Sequence, residues 1–192
     1  IQPISKGKAE HVSIYGNNKS LEIGKKSLTN VVGRIEEQSA IALKLLSVIR
    51  SNKLLNIKAS GGTGKTTLIK KVAYELYNRG YYKEGVSFRS CENIKTFSDF
   101  EEILNSSFNL MNILDLHSYL KENYSNEKLD LLIILDNFES VVNSLNSNDF
   151  RKAIDLLKFV TDYANVAITS REKLTQIDDF EDVYSLTPMI TD

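Results

Sequence analysis

The chain has 192 residues, 42% hydrophobic and 26% charged, the size and balance of one globular domain with a substantial buried core. Its formal net charge of -1 offers no global pull toward nucleic acid or an anionic membrane, and no apolar run approaches the ~20 residues of a membrane helix, so neither partner is expected. A single cysteine, Cys91, excludes an internal disulfide framework and suits a reducing, cytoplasmic compartment, and His11 and His117 are too few and too far apart to suggest a metal centre.

In chain order, residues 1–30 lack sustained periodicity and carry Pro3, Gly7, Gly16 with Asn17 and Asn18, and Gly24; they read as a linker or the end of an upstream domain, with a hairpin possible around residues 16–19. Their lysines are scattered, without an aromatic stacking set, so a solvated linker is the expectation rather than a nucleic-acid arm. The start at Ile1, without an initiator Met or a signal-like leader, is what a piece of something longer would show. Apolar residues at 35, 41, 42, 45, 46, 48 and 49 then make an amphipathic helix over residues 35–49, with Glu36 and Glu37 at its positive end. Next come a short apolar strand at 54–59, a helix over 65–78 and a strand at 86–89. Two helices are predicted between 97 and 123, then a strand at 131–136, a helix near 150–163, a strand at 166–169 and a last strand near 183–186. Short, uniformly apolar strands alternating with helices are what a parallel sheet covered on both faces requires, so the predicted class is α/β in three layers. Ligands of such sheets gather at the carboxyl ends of the strands.

Three stretches at such ends carry chemistry. Ala59-Ser60-Gly61-Gly62-Thr63-Gly64-Lys65-Thr66-Thr67 follows the first apolar strand and opens a helix, which is the context of a Walker A loop. Glycines at 61, 62 and 64 let backbone N–H groups converge on phosphate oxygens, and the helix N-terminus adds its positive dipole end. Lys65 supplies a mobile cation for the β and γ phosphates, Thr66 a hydroxyl for Mg²⁺, and Thr67 a hydrogen bond toward the α phosphate. Ala59 stands where the usual pattern has glycine, a minor departure at a strand end. Residues 131–136 have the form of a Walker B strand, five apolar residues delivering Asp136, which would hold Mg²⁺ through its water shell. Asn137 occupies the position where many ATPases carry a water-orienting glutamate, so hydrolysis is expected to be slow; Glu139 reads equally well as a general base or as an acid at a helix start. Finally, residues 166–171 run from a strand into Thr169-Ser170-Arg171, and an arginine beside a γ-phosphate can sense it and stabilise its charge.

Taken in order with Val31-Val32-Gly33-Arg34 before the first helix, these motifs resemble the nucleotide-binding domain of STAND ATPases, the NB-ARC type more than the NACHT type, over roughly residues 31–190. The resemblance implies a P-loop NTPase core with a five-stranded parallel sheet of order 5-1-4-3-2, counted from the Walker A strand, and helices on both faces. It implies that Val31, Val32 and Arg34 lie by the adenine and that Arg171 is the γ-phosphate sensor. It also implies an ATP/ADP and Mg²⁺ switch within a larger signalling or immune-type protein, closed with ADP and oligomeric with ATP. Residues 186–189 resemble the passage into the family's helical lid, so residues 31–192 read as a domain cut before the lid, its partners being the lid, winged-helix, sensor and effector domains. An AAA+-type mechanical ATPase, a small-molecule kinase and a non-hydrolysing ADP-binding scaffold are the alternatives. Asn137 argues against the first, the want of an arginine-rich lid against the second, and the residues do not separate the third from a slow switch.

Overall fold

The computed structural model describes residues 20–21, 33–110, 115–124, 128–174, 177 and 179–187. Val31 and Val32, residues 188–192 and the hairpin expected at 16–19 lie outside these. The elements are β1 (Ser20–Leu21), α1 (Ile35–Val48), β2 (Leu54–Lys58), α2 (Lys65–Asn78), β3 (Gly85–Ser90), α3 (Phe97–Ser107), α4 (Leu116–Asn123), β4 (Leu131–Asp136), α5 (Glu139–Ser144), α6 (Ser147–Val160), β5 (Asn165–Ser170) and β6 (Glu181–Ser185).

The strands form one sheet in the order β1-β3-β4-β5-β2-β6, with parallel pairing throughout. Counted from β2, the five longer strands stand in the expected order 5-1-4-3-2, and the two-residue β1 adds an edge strand beside β3. β1 falls within the stretch read as a linker. Its two residues are too few to leave a periodic signal. β5 separates β2 from β4, so the threonine-serine-arginine end stands between the glycine loop and Asp136.

Period-2 alternation divides the sheet into two cores. Leu131, Ile133, Leu135, Val166 and Ile168 pack with Phe100, Leu104, Ala153, Leu157 and Val160 on one face, where Phe100 and Phe138 meet edge to face at 6.2 Å. Leu55, Ile57, Leu132, Ile134 and Ala167 pack on the other face with Ile41, Leu45 and Val48 of α1 and Leu68, Ile69, Val72 and Leu76 of α2. Every residue of β4 and of β5 is buried, as central strands covered on both sides must be. Of the two tyrosines after α2, Tyr82 serves this packing, fully buried and donating its hydroxyl to the Leu45 carbonyl at 3.3 Å, whereas Tyr81 is exposed. Cys91 is buried behind β3, where desolvation pushes its thiol pKa far up and keeps it protonated.

Candidate functional site

Glycine is required in the loop after β2 by backbone conformation. Gly62 and Gly64 have φ of +77° and +81°, and a Cβ added at Gly61, Gly62 or Gly64 would meet no atom within 4 Å. The loop therefore opens onto free space rather than being packed shut. α2 starts directly after Gly64 with no side-chain cap and no acidic residue in its first turn. By contrast, Thr96, Asp115 and Asn146 accept hydrogen bonds from the first turns of α3, α4 and α6. Uncapped N–H donors and the positive dipole end of α2 are thus left facing an open hollow, the physical requirement for holding an anion.

Lys65 is 8% exposed, and its Nζ donates to the carbonyls of Ala59 at 2.6 Å and Ser60 at 3.0 Å. Burial lowers its pKa from the usual lysine value, Glu139 opposes that shift, Arg171 adds to it, and Asp136 opposes it. Three other charges are therefore close enough to act on this ammonium. Thr66, in the first turn of α2, donates its hydroxyl to Asp136 Oδ1 at 2.8 Å and lies 3.0 Å from Oδ2. Thr169, at the end of β5, donates to Asp136 Oδ1 at 2.6 Å, and its own hydroxyl oxygen accepts from the Asn137 N–H at 3.0 Å. Asp136 is 5% exposed, so this carboxylate is a buried acceptor held by two hydroxyls.

The chain turns sharply after Asp136: Asn137 adopts a left-handed φ of 58°, which asparagine tolerates better than most residues. Phe138 N–H donates to the Thr169 carbonyl at 2.9 Å, so β5 holds this turn from below. The turn delivers Glu139 as the first residue of α5, where Arg171 Nε donates to Glu139 Oε1 at 3.0 Å. The Asn137 amide reaches the other way and donates to Glu92 Oε1 at 2.8 Å. Glu92, Asn137, Glu139, Asn143, Ser170 and Arg171 line an open cavity of about 490 Å³, to which no residue of the glycine loop contributes. Thr63 donates within the loop to the Ser60 carbonyl at 2.9 Å, while Thr67 is exposed on the first turn of α2.

Arg34 stands apart from this group. It precedes α1 in a left-handed conformation, φ 57°, after Gly33 at φ 83°, and its Nη1 is buried without a hydrogen-bond partner. Arg34 is also close enough to Tyr184 on β6 to act electrostatically on its hydroxyl. Two residues beyond the sequence reading belong to the site's framework. In the sequence Thr169 reads as part of the segment leading to Arg171, whereas the strand order puts β5 beside β4 and period-2 alternation puts position 169 on the Asp136 face. Glu92 carries no local signal, because its relation to Asn137 depends on the pairing of β3 with β4, which sets Ser90 opposite Asp136.

No protein-family model matches the chain, and no curated protein sequence matches it. Solved structures do. C. elegans PCH-2 aligns at 19% identity with a TM-score of 0.51, covering 94% of this chain and 47% of that one. Drosophila ORC bound to DNA aligns at 12% identity and a TM-score of 0.53, covering 96% and 49%. Cdc6p from Pyrobaculum aerophilum aligns at 14% identity and 0.51, covering 90% and 48%. The chain spans about half the length of each of these. The fold they share with it is the parallel α/β sheet of P-loop NTPases.

Proposed function

We propose that this chain is a nucleotide-binding domain that takes ATP or ADP with Mg²⁺ and acts as a slowly hydrolysing switch module within a larger protein. The observation that supports this most directly is the contact of Thr66 with Asp136 beside an open, uncapped glycine loop. A hydroxyl and a carboxylate converging next to a phosphate-binding helix start are the two oxygen donors a Mg²⁺–phosphate group needs. Mg²⁺, if bound there, would neutralise phosphate charge. The remaining roles fall to the chain. The N-terminus of α2 and the loop glycines bind phosphate. Lys65 would exchange its bonds to the Ala59 and Ser60 carbonyls for phosphate oxygens. Thr66 and Asp136 would hold the metal, the carboxylate kept in place by Thr169. Arg34, whose Nη1 is buried without a partner, is read as a contact for the base or ribose, the role that the sequence resemblance also gives Val31 and Val32.

Arg171 is read as the γ-phosphate sensor, and Glu139 as the carboxylate that holds it when no γ-phosphate competes. Asn137 bears on rate: it presents an amide, bonded to Glu92, where a carboxylate would orient the attacking water, which favours a switch over a motor. The STAND type of the NB-ARC kind, with ATP-dependent self-association and a signalling or immune output, is the finer form of this reading. A second reading, a remodelling ATPase of the AAA+ type, has the likeness to PCH-2, ORC and Cdc6p in its favour.

Titration calorimetry of ATP and ADP with Mg²⁺ tests the site. Wild type should bind, and Lys65→Ala should lose at least about tenfold in affinity, as expected for removal of a charge-assisted bond to phosphate. Phosphate release well below ~1 s⁻¹ would favour the switch, whereas turnover in the usual enzyme range would favour the remodelling reading. Absence of binding in wild type would overturn both.

A further inference from the structure

Asn56 is a buried amide in the middle of β2, 0% exposed among Leu54, Leu55 and Ile57. A polar group there destabilises the fold unless it is paired, and this one is paired three ways. Its Nδ2 donates to Glu181 Oε1 at 2.7 Å and to the Glu172 carbonyl at 3.2 Å, while its Oδ1 accepts from the Ser170 hydroxyl at 2.9 Å. The Ser170 hydroxyl also lies within bonding distance of the Glu172 carbonyl, and Leu174 N–H donates to Glu181 Oε1 at 3.4 Å. Ser170 and Glu181 are themselves 0% and 7% exposed.

These bonds fall on alternate residues of the segment leaving β5: 170, 172 and 174 are held from beneath. Arg171, between them, projects the other way, with its side chain 66% exposed and bonded to Glu139. The same segment is tied to the glycine loop, since Ala59 N–H donates to the Ser170 carbonyl at 3.1 Å and the Ala59 carbonyl accepts from Lys65. Leucine or methionine would fill this space without a polar partner to satisfy. The chain keeps instead a carboxylate whose Oε2 is buried and unpartnered, an arrangement that specifies geometry at a cost in stability.

We propose that Asn56, Ser170 and Glu181 form a buried clamp that positions Arg171, so that the preference of the site for a nucleoside triphosphate over a diphosphate is set by a polar network beneath the sensor segment. This rests on the reading of Arg171 as the γ-phosphate sensor. The three residues touch no phosphate; they act through the backbone of residues 170–174.

The test compares Mg²⁺-ATP and Mg²⁺-ADP affinities of the chain with those of Ser170→Ala, Glu181→Ala, Glu181→Gln and Arg171→Ala, with thermal unfolding recorded for each. Arg171→Ala, Ser170→Ala and Glu181→Ala should weaken ATP by about five- to tenfold and ADP by less than about twofold. Glu181→Gln keeps an oxygen to accept from Asn56 and should restore the ATP preference. If Arg171→Ala loses that preference but Ser170→Ala and Glu181→Ala keep it, or weaken both nucleotides alike, the clamp is structural only and the inference fails while the sensor reading stands. If Arg171→Ala keeps the preference, or wild type binds neither nucleotide, the sensor reading fails and takes the clamp with it. Ser170→Ala removes one oxygen only, so it keeps the question answerable should Glu181→Ala not fold.

Discussion

Around Lys65, Glu139 and Arg171 the balance of charge decides what the site can hold. Glu139 offsets part of the effect that burial and Arg171 exert on the ammonium, and it also engages Arg171 directly. Neutralising it removes a negative charge from an anion site and frees the arginine. Because the pair is largely exposed on the arginine side, its worth is small, about 0.5–1 kcal/mol. Glu139→Gln should therefore tighten ATP by roughly two- to fivefold, and ADP by less, in the same calorimetric titration. An unchanged ATP affinity with a sharp fall in phosphate release would instead mark Glu139 as a general base. At this scale the glycine, lysine, threonine and aspartate positions were legible in the sequence because local backbone chemistry dictates them. The partners of Asn137 and of Asn56 were not, since Glu92 and Glu181 are 45 and 125 positions away and meet them only across paired strands.

Among the described helices, α3, α4 and α6 each have an N-terminal side chain accepting from their first turn, whereas α1, α2 and α5 have none; of these three, α2 also lacks an acidic residue in its first turn. Asn146 accepts from the N–H groups of Asn148 and Asp149 at 3.1 and 3.0 Å. Asn146→Ala should cost about 1 kcal/mol of stability, seen as a lowered Tm, with nucleotide affinity unchanged. Adding a capping carboxylate to α2 would be expected to do the opposite, stabilising the helix while closing the hollow to phosphate. Helix α5 escaped the sequence reading because its six residues, Glu139–Ser144, are too few to show a helical period. Its first residue was nevertheless legible as an acid at a helix start, an electrostatic preference that needs no periodicity.

Across the whole molecule, one long side chain ties the loop before a central strand to the end of a helix far away in the chain. Lys128 Nζ, just before β4, donates to the Val48 carbonyl at 3.1 Å and the Ser51 carbonyl at 2.6 Å, closing the C-terminal end of α1. Burial brings its pKa down from 10.5 to about 8, partly opposed by Asp162. Between about pH 8 and 10.5 the unfolded chain holds this proton more tightly than the folded one, so this residue's contribution to stability rises with pH over that window. Below about pH 8 both states are protonated and the cost of burying the charge is fully felt. Urea unfolding of wild type and Lys128→Met across the window should therefore show their difference moving in favour of wild type as pH rises. A difference that stays flat would mean the ammonium is solvated.

Features that depend on near neighbours along the chain were readable from the residues alone. These are the alternation of apolar strands and helices, the glycine loop between a strand and a helix start, and a carboxylate at the end of an apolar run. Each follows from side-chain periodicity, from the left-handed backbone at Gly62 and Gly64, or from burial of a short strand on both faces. Which distant polar groups meet is a property of the assembled fold: Thr169 with Asp136, Glu139 with Arg171, and Asn56 with Ser170 and Glu181. Those contacts depend on the order and register of strands far apart in the chain, set by the packing of two cores rather than by any one segment's preference.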